Sequence, residues 1–286
     1  MALLAVSSAP WRAAVGWLGF FALVLAAWAT LFAMSADFAT RAPVSLLGPG
    51  MAWFAPLFPD SADGAFWSTA TEAICLRGPA PGDVSGPALF GMWALMVLAM
   101  MMPSAVPLFR AYGDLVAGNP ARVPAAGLLG LFAGFAFVWL GFAILGAAVQ
   151  WALTQAGLLS LGGALRAGGL SAILLALAGL YQFSALKAAC LSRCRSPMAF
   201  FLSHWRDGTL GAARMGLRQG LFCLGCCWAL MALAFVGGTM NLIWMGGAMI
   251  LMTLEKLPSL GRTISIPLGM ALLSASAFLA GATLAN

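Results

Sequence analysis

Cys223-Leu-Gly-Cys-Cys-Trp228 lies inside a long apolar segment, and a second cysteine-bearing stretch precedes it, Leu180-Tyr-Gln-Phe-Ser-Ala-Leu-Lys-Ala-Ala-Cys-Leu-Ser-Arg-Cys194. Together the two stretches hold five of the six cysteines of the chain. Residues three or four positions apart share one face of a helix. Cys190 and Cys194 therefore share one face, and Cys223, Cys226 and Cys227 share another. Two such helices packed together could form one soft-metal site. The fold would then have to place these two helices side by side.

The composition is that of a helical membrane protein. Of the 286 residues, 63% are apolar and only 8% are charged, whereas soluble domains carry about 25% charged residues. Apolar runs of about 20 residues are long enough to cross the hydrocarbon core of a bilayer. The net charge of +6 does not indicate a nucleic-acid partner, because Lys and Arg in membrane proteins mostly set orientation. The sequence therefore predicts an all-α, polytopic helix bundle in the lipid bilayer.

Seven transmembrane helices are predicted, at residues 12–34, 88–109, 125–152, 169–189, 213–236, 240–256 and 264–284. Eleven of the fourteen basic residues fall on the side of the amino terminus, and basic loops face the cytoplasm. The amino terminus is therefore predicted inside and the carboxyl terminus outside, in the inner membrane of a bacterium.

This topology divides the chain into two regions. Residues 1–87 are predicted to form the first transmembrane helix and a long periplasmic loop, and residues 88–286 a six-helix metal-binding membrane domain. The loop, 35–87, is acidic and rich in aromatic residues, which suit a segment at the membrane interface. Cys75 lies in this loop without a second outside cysteine to pair with, and no role is assigned to it.

The five clustered cysteines are predicted to bind a metal as thiolates. They fall on the cytoplasmic side, where thiols stay reduced and disulfides are rare. Thiolates favour Cu(I), Zn(II) or iron–sulfur clusters. The set at 223–227 begins about three turns into its span, so it meets Cys190 and Cys194 only if the fourth helix or the following loop bends inward. The alternative is structural, since cysteines also fill small apolar spaces between helices.

A row of methionines moves the predicted metal from zinc towards copper. Met92, Met96 and Met100 follow one another at intervals of four in the second span, so their thioethers share one helix face. Thioethers are ligands for Cu(I), a softer ion than Zn(II). The predicted ion is therefore Cu(I), with Zn(II) as the alternative. Soft core packing by methionine explains the same pattern without any metal.

Three polar residues are candidates for supporting roles. Lys187 and Glu255 are predicted to balance the charge of the metal site. Glu255 and Lys256 end the sixth span, either as a pair that reaches out to the interface or as a ligand, counter-ion or proton carrier. His204, the single histidine, lies in a short amphipathic segment typical of the interface. One histidine cannot supply a multi-histidine catalytic metal site.

The chain resembles a bacterial family of predicted metal-binding integral membrane proteins, a domain of unknown function with CxxxC and CxxCC cysteines. The resemblance is carried by four sets of residues: Met92-Trp93, Met96, Ala99-Met100-Met101-Met102-Pro103-Ser104 and Pro107; Tyr181-Gln182, Leu186-Lys187, Cys190-Leu191, Cys194 and Pro197; Gly220, Cys223-Leu224-Gly225-Cys226-Cys227-Trp228 and Leu230-Met231; and Glu255-Lys256. It covers residues 88–260. It implies metal handling and assigns no reaction.

The favoured hypothesis is a membrane protein that handles Cu(I), by transport or by delivery to a periplasmic or membrane metalloprotein. A membrane thiol oxidoreductase using Cys223 and Cys226 as a C-x-x-C pair is the first alternative. A structural subunit of a membrane complex is the second. The sequence contains no Walker A, H-E-x-x-H or G-x-S-x-G motif, so nucleotide hydrolysis and common hydrolase chemistry have no support. An enzyme is therefore the less favoured interpretation.

Overall fold

A computed structural model describes residues 10–41, 43–53, 69, 85–117 and 124–285. Within these residues the chain forms α1 (Pro10–Arg41), a short 3-10 turn (Val44–Leu47), α2 (Gly86–Ala117), α3 (Pro124–Gln155), α4 (Gly168–Gln182), α5 (Ala185–Arg195), α6 (Pro197–His204), α7 (Gly208–Ala232), α8 (Ala234–Gly237), α9 (Leu242–Glu255) and α10 (Gly261–Ala285). The described part of the chain contains no β-strand, only an isolated bridge between Leu159 and Leu165. The all-α prediction is confirmed.

Among the residues that the structure describes, five stretches of helix are long and apolar enough to cross a membrane: Ala14–Ala39 in α1, α2, Ala126–Gln155 in α3, Gly208–Gly237 across α7 and α8, and Thr263–Ala285 in α10. The pair α4 and α5 makes a sixth if its two parts count as one span, although they meet at 62°. Helix α9 has 14 residues, fewer than the roughly 20 of a full crossing. Several helices are thus compatible with a membrane protein, while the number of seven, the orientation and the division at residue 87 stay predictions.

The break between α4 and α5 is the feature that positions the second cysteine stretch. Ser184 stands at the N-cap of α5, and its hydroxyl accepts a hydrogen bond from the Lys187 amide at 3.1 Å; serine is a preferred residue there. Phe183, at the corner, packs so closely on α10 that a Cβ on Gly269 would lie 2.7 Å from its ring. The inward bend that the two cysteine sets require is therefore present, and α5 packs against α7.

Helices α3 and α7 pack backbone to backbone through paired glycines. Gly130 and Gly134 on α3 and Gly216 and Gly220 on α7 each form a G-x-x-x-G spacing, which lets membrane helices approach closely. A Cβ on Gly216 would overlap the backbone of Leu131, and a Cβ on Gly134 would overlap the backbone of Ala213. The contact sets the register of α7, and with it the position of Cys223, seven residues after Gly216.

Replacing Gly216 by Val is expected to lower the free energy of unfolding by at least the ~1–3 kcal/mol of an overpacked core, because the atoms it meets belong to the backbone and cannot rotate away. Gly141→Val is the matched control, since a Cβ on Gly141 meets nothing within 4 Å. Thermal unfolding of both variants in detergent, followed by circular dichroism, tests this. Equal midpoints for the two variants would contradict the close packing.

A hydrogen bond between α1 and α2 is made possible by a proline in α2. Pro103 lies inside α2 and lacks the N–H that would bond to the carbonyl of Ala99. The indole of Trp28 on α1 donates a hydrogen bond to that carbonyl at 3.1 Å. The proline therefore leaves an acceptor open in α2, and α1 supplies the donor for it.

Candidate metal centre

Cys223, Cys226 and Cys227 form a buried group of thiols on one face of α7, here called the triad. Their sulfur atoms all lie within 4.8 Å of one another. The Sγ atoms of Cys226 and Cys227 are 3.3 Å apart, and the thiol of Cys226 donates to the carbonyl of Cys223 at 3.1 Å. The spacing of three and four on a helix therefore produces the shared face that the sequence predicts.

Cys194 on α5 adds a fourth thiol to this group. Its Sγ lies 3.9 Å from the Sγ of Cys226. We call Cys194 and the triad the four-thiol cluster. Four sulfurs at a metal–sulfur distance of about 2.3 Å in tetrahedral geometry would lie about 3.8 Å apart. The two separations of 3.3 and 3.9 Å are close to that value. The triad by itself could hold a metal ion, and Cys194 is the thiol next to it that could supply a fourth ligand.

Cys190 lies one turn before Cys194 and points at a different part of α7. Its Sγ is 2.6 Å from the place that a Cβ on Gly225 would occupy, so the missing side chain of Gly225 gives it room. No described residue of the four-thiol cluster forms a hydrogen bond with the thiol of Cys190. Of the five predicted ligands, the structure brings four together and places the fifth beside the cluster. Their role as ligands stays a prediction.

Lys256 is the cationic side chain in contact with the cluster. Its ammonium donates to the Sγ of Cys223 at 3.1 Å and to the hydroxyl of Ser104 at 2.7 Å. The side chain is 8% exposed. A buried charge needs a partner of this kind, because isolated ions are very costly in an apolar interior. In the sequence Lys256 stands out only as the neighbour of Glu255, and nothing in the spacing identifies Ser104 as its partner.

Glu255 pairs with Lys187 rather than with Lys256. The ammonium of Lys187 lies 2.9 and 2.8 Å from the two carboxylate oxygens of Glu255, and it also donates to the side-chain carbonyl of Gln182. Both charged side chains are 2% exposed. The interpretation of Glu255 and Lys256 as a pair that reaches out to the interface is therefore wrong. Lys187 and Glu255 neutralise each other, which differs from the expected role of balancing the charge of the metal site.

The same ion pair holds α5 in place. Lys187 lies in the first turn of α5, and Arg195, its last residue, donates through Nε to the backbone carbonyl of Glu255 at 2.9 Å. The hydroxyl of Ser265 donates to the carboxylate of Glu255 at 2.9 Å. Both ends of α5 are thus bound to one residue at the end of α9. Cys194 lies between these two attachments, so the pair positions the fourth thiol of the cluster.

The thioether row of Met92, Met96 and Met100 is fully buried in α2. The interval of four continues to Ser104, the residue whose hydroxyl accepts the hydrogen bond of Lys256. The row therefore leads along α2 to Ser104, which is hydrogen-bonded to Lys256, and Lys256 in turn contacts Cys223.

Buried thioethers also lie on α9, which ends next to Lys256, and on α7, which carries the triad. Met252 on α9 lies one turn before Lys256, and Met231 on α7 lies one turn after Cys227. Met245, also buried, lies two turns before Met252. The irregular intervals between methionines on α9 gave no helical row in the sequence. That Met245 and Met252 are buried appears only in the fold.

His204 lies apart from these groups. Its ring stacks on Phe200 at a centroid distance of 5.0 Å, and its Nδ1 lies 2.7 Å from the hydroxyl of Ser203. These contacts are local to α6, and none joins His204 to a cysteine among the described residues. Cys75 and most of loop 35–87 fall outside the part of the chain that the structure describes.

A family model with the description "PpoB2: Copper chaperone" matches residues 90–279, about two thirds of the chain. The matched region contains the four-thiol cluster, Cys190, the thioether row and Lys256. No curated protein and no solved structure gives a significant match.

Proposed function

Because this chain belongs to the PpoB2 copper chaperone family, we propose that it is an integral membrane protein that holds Cu(I) at the four-thiol cluster and passes it to a copper protein. The observation that carries the proposal is the approach of thiols from two helices: the Sγ of Cys194 on α5 lies 3.9 Å from that of Cys226 on α7, which lies 3.3 Å from that of Cys227. A copper ion here is cargo, taken up and released by exchange between sulfur ligands.

The choice of Cu(I) follows from the donors. Thiolates and thioethers are soft ligands that select Cu(I), whereas carboxylates and waters suit harder ions. Among the described residues, buried methionines lie on α2, α7 and α9, the helices that carry Ser104, the triad and the approach to Lys256, and the nearby carboxylate of Glu255 is bound to Lys187. Copper in the reduced state is therefore the cargo that this environment fits.

The thioether row supports delivery rather than storage. From Met92 to Ser104 there are twelve residues, which is about 18 Å along a helix. That distance is more than half of the roughly 30 Å hydrocarbon core. Cu(I) can bind a thioether without an added charge, so a row of buried methionines offers successive ligands through an apolar interior. The cargo would leave the cluster along α2 towards the opposite end of the bundle.

The predicted topology indicates the direction in which the copper ion would move. With the cluster on the cytoplasmic side of the inner membrane, the row leads to the periplasmic side, where a cuproenzyme or another membrane metalloprotein would receive the ion. The long apolar helices support the membrane location. The receiving partner is expected to offer sulfur or imidazole ligands, since these compete for Cu(I).

The test is the copper content of protein purified from copper-fed cells, measured by mass spectrometry. Wild-type protein should carry copper, and a variant with the triad changed to serine should carry roughly tenfold less or lower. A variant with the thioether row changed to leucine should keep its copper and release it more slowly to an external Cu(I) chelator. Equal copper in wild type and triad variant would overturn the proposal. A Cys223–Cys226 disulfide that turns over with thiol substrates would favour the oxidoreductase alternative instead.

A further inference from the structure

The sulfur ligands of the four-thiol cluster do not by themselves explain how the site would bind Cu(I) in preference to Zn(II). Four cysteines in tetrahedral arrangement are a standard ligand set for structural zinc, and Zn(II) competes for the same thiolates as Cu(I). A protein that carries copper at such a cluster needs some feature that disfavours zinc. Any such feature has to act on the charge of the ion or on the number of ligands it receives.

Lys256 is positioned to affect both the charge that a metal ion meets and the number of ligands that it receives. Its ammonium contacts the sulfur of Cys223 at 3.1 Å and is buried with it. Other cations of the region do not share this position: Lys187 is neutralised by Glu255, and Arg193 and Arg218 are exposed. Among the described residues, Lys256 is therefore the positive charge that an incoming metal ion meets at the cluster.

The charge of the incoming ion decides how strongly Lys256 opposes it. Coulomb repulsion between the ammonium and a metal ion is proportional to the charge of the ion, so Zn(II) meets twice the repulsion that Cu(I) meets. The effect is strong because the site is buried and water does not screen it. The ammonium thus penalises the divalent ion more than the monovalent one.

The hydrogen bond to Cys223 also reduces the number of free ligands. A sulfur that accepts a hydrogen bond from an ammonium is a weaker donor to a metal. Structural zinc sites are almost always four-coordinate, while Cu(I) also forms stable complexes with fewer sulfurs. Cys194, Cys226 and Cys227 remain without an ammonium contact among the described hydrogen bonds. Three freely available thiols suit Cu(I) better than Zn(II).

We propose that Lys256 is a specificity-determining residue that makes the four-thiol cluster select monovalent soft ions, Cu(I) and Ag(I), over Zn(II) and Cd(II). The inference rests on the proposed function, since it assumes that the cluster binds copper. It gives Lys256 a role beyond balancing the charge of the thiolates, because its position against Cys223 also distinguishes metal ions by their charge.

The experiment compares the Cu(I) and Zn(II) affinities of wild type, Lys256→Gln and Lys256→Arg, each in competition with a chromophoric chelator. In Lys256→Gln the ratio of Zn(II) to Cu(I) affinity should rise roughly tenfold or more, whereas Lys256→Arg, which keeps the charge, should stay close to wild type. A ratio in Lys256→Gln within about twofold of wild type, or the same shift in both variants, would overturn the inference.

Two further measurements test the role of Lys256 without relying on Lys256→Gln, and they distinguish this role from the proposed copper binding itself. If Lys256→Gln does not fold, Lys256→Leu offers a neutral side chain without a metal-binding atom for the same comparison. Competition of Ag(I) with Cd(II) on wild-type protein needs no variant, and a preference for Cd(II) would overturn the inference. Failure of wild type to bind any Cu(I) would contradict the proposed function itself, and a copper-binding wild type with an unchanged ratio in the variant would contradict the role of Lys256 alone.

Discussion

Cys194→Ser is expected to weaken Cu(I) binding by roughly 100-fold, at the upper end of the effects of altering a metal site, while Cys190→Ser changes it by less than about threefold. The two cysteines lie one turn apart on α5, so both replacements change that helix to a similar extent. Only Cys194 has its sulfur within 3.9 Å of Cys226, whereas Cys190 lies against Gly225. Competition with a Cu(I) chelator of known affinity measures both variants.

The comparison of the two serine variants separates ligand loss from a general disturbance of α5. A disturbance of the helix would lower the thermal midpoint and the copper affinity of both variants together. Equal losses of affinity in Cys190→Ser and Cys194→Ser would show that all five cysteines act as one set, as the sequence alone suggests, and would contradict the four-thiol cluster.

Glu255→Gln is expected to lower the free energy of unfolding by about 3–5 kcal/mol, the usual result of removing one partner of a buried ion pair. The replacement leaves the ammonium of Lys187, which is 2% exposed, without its counter-charge. It also loosens α5, so the affinity for Cu(I) should fall as well. Denaturation in detergent and chelator competition on the same samples measure the two effects.

Two companion variants test the cause of that loss. The double variant Lys187→Met, Glu255→Leu should recover most of the stability, because replacing both ions by apolar groups of similar size is often close to neutral. Asp114→Asn is the matched control, an exposed carboxylate on α2 whose loss should change stability by no more than about 0.5 kcal/mol. A double variant as unstable as Glu255→Gln would show that Glu255 acts through its other hydrogen bonds instead of the ion pair.

The sequence was sufficient to predict which cysteines and which methionines share one face of a helix. Cys223, Cys226 and Cys227 share a face because their intervals match the helix period, and the same holds for Met92, Met96 and Met100. The need for a bend was predictable too, since the depth of Cys223 in its span does not match the end of a straight fourth helix. Local periodicity carries this information, because it depends only on neighbours within two or three turns.

The partners of the buried charges were not predictable in the same way. Glu255 and Lys256 are adjacent, and adjacency suggested a pair, yet consecutive residues of a helix do not face each other. Glu255 therefore pairs with Lys187, and Lys256 contacts Cys223. Both partners lie on other helices, and nothing in the spacing along the chain identifies them.

The sequence by itself determined a helical, apolar protein with a thiol face and a thioether row, and it predicted a soft metal, because composition and helix period are local properties. Only the tertiary structure decided that four of the five cysteines converge, that Cys190 lies beside Gly225, and that Lys256 contacts the cluster. These follow from the 62° bend at α4 and α5 and from the attachment of α5 to Glu255. Such contacts join residues about 30 to 70 positions apart, and the helix period does not extend over that distance.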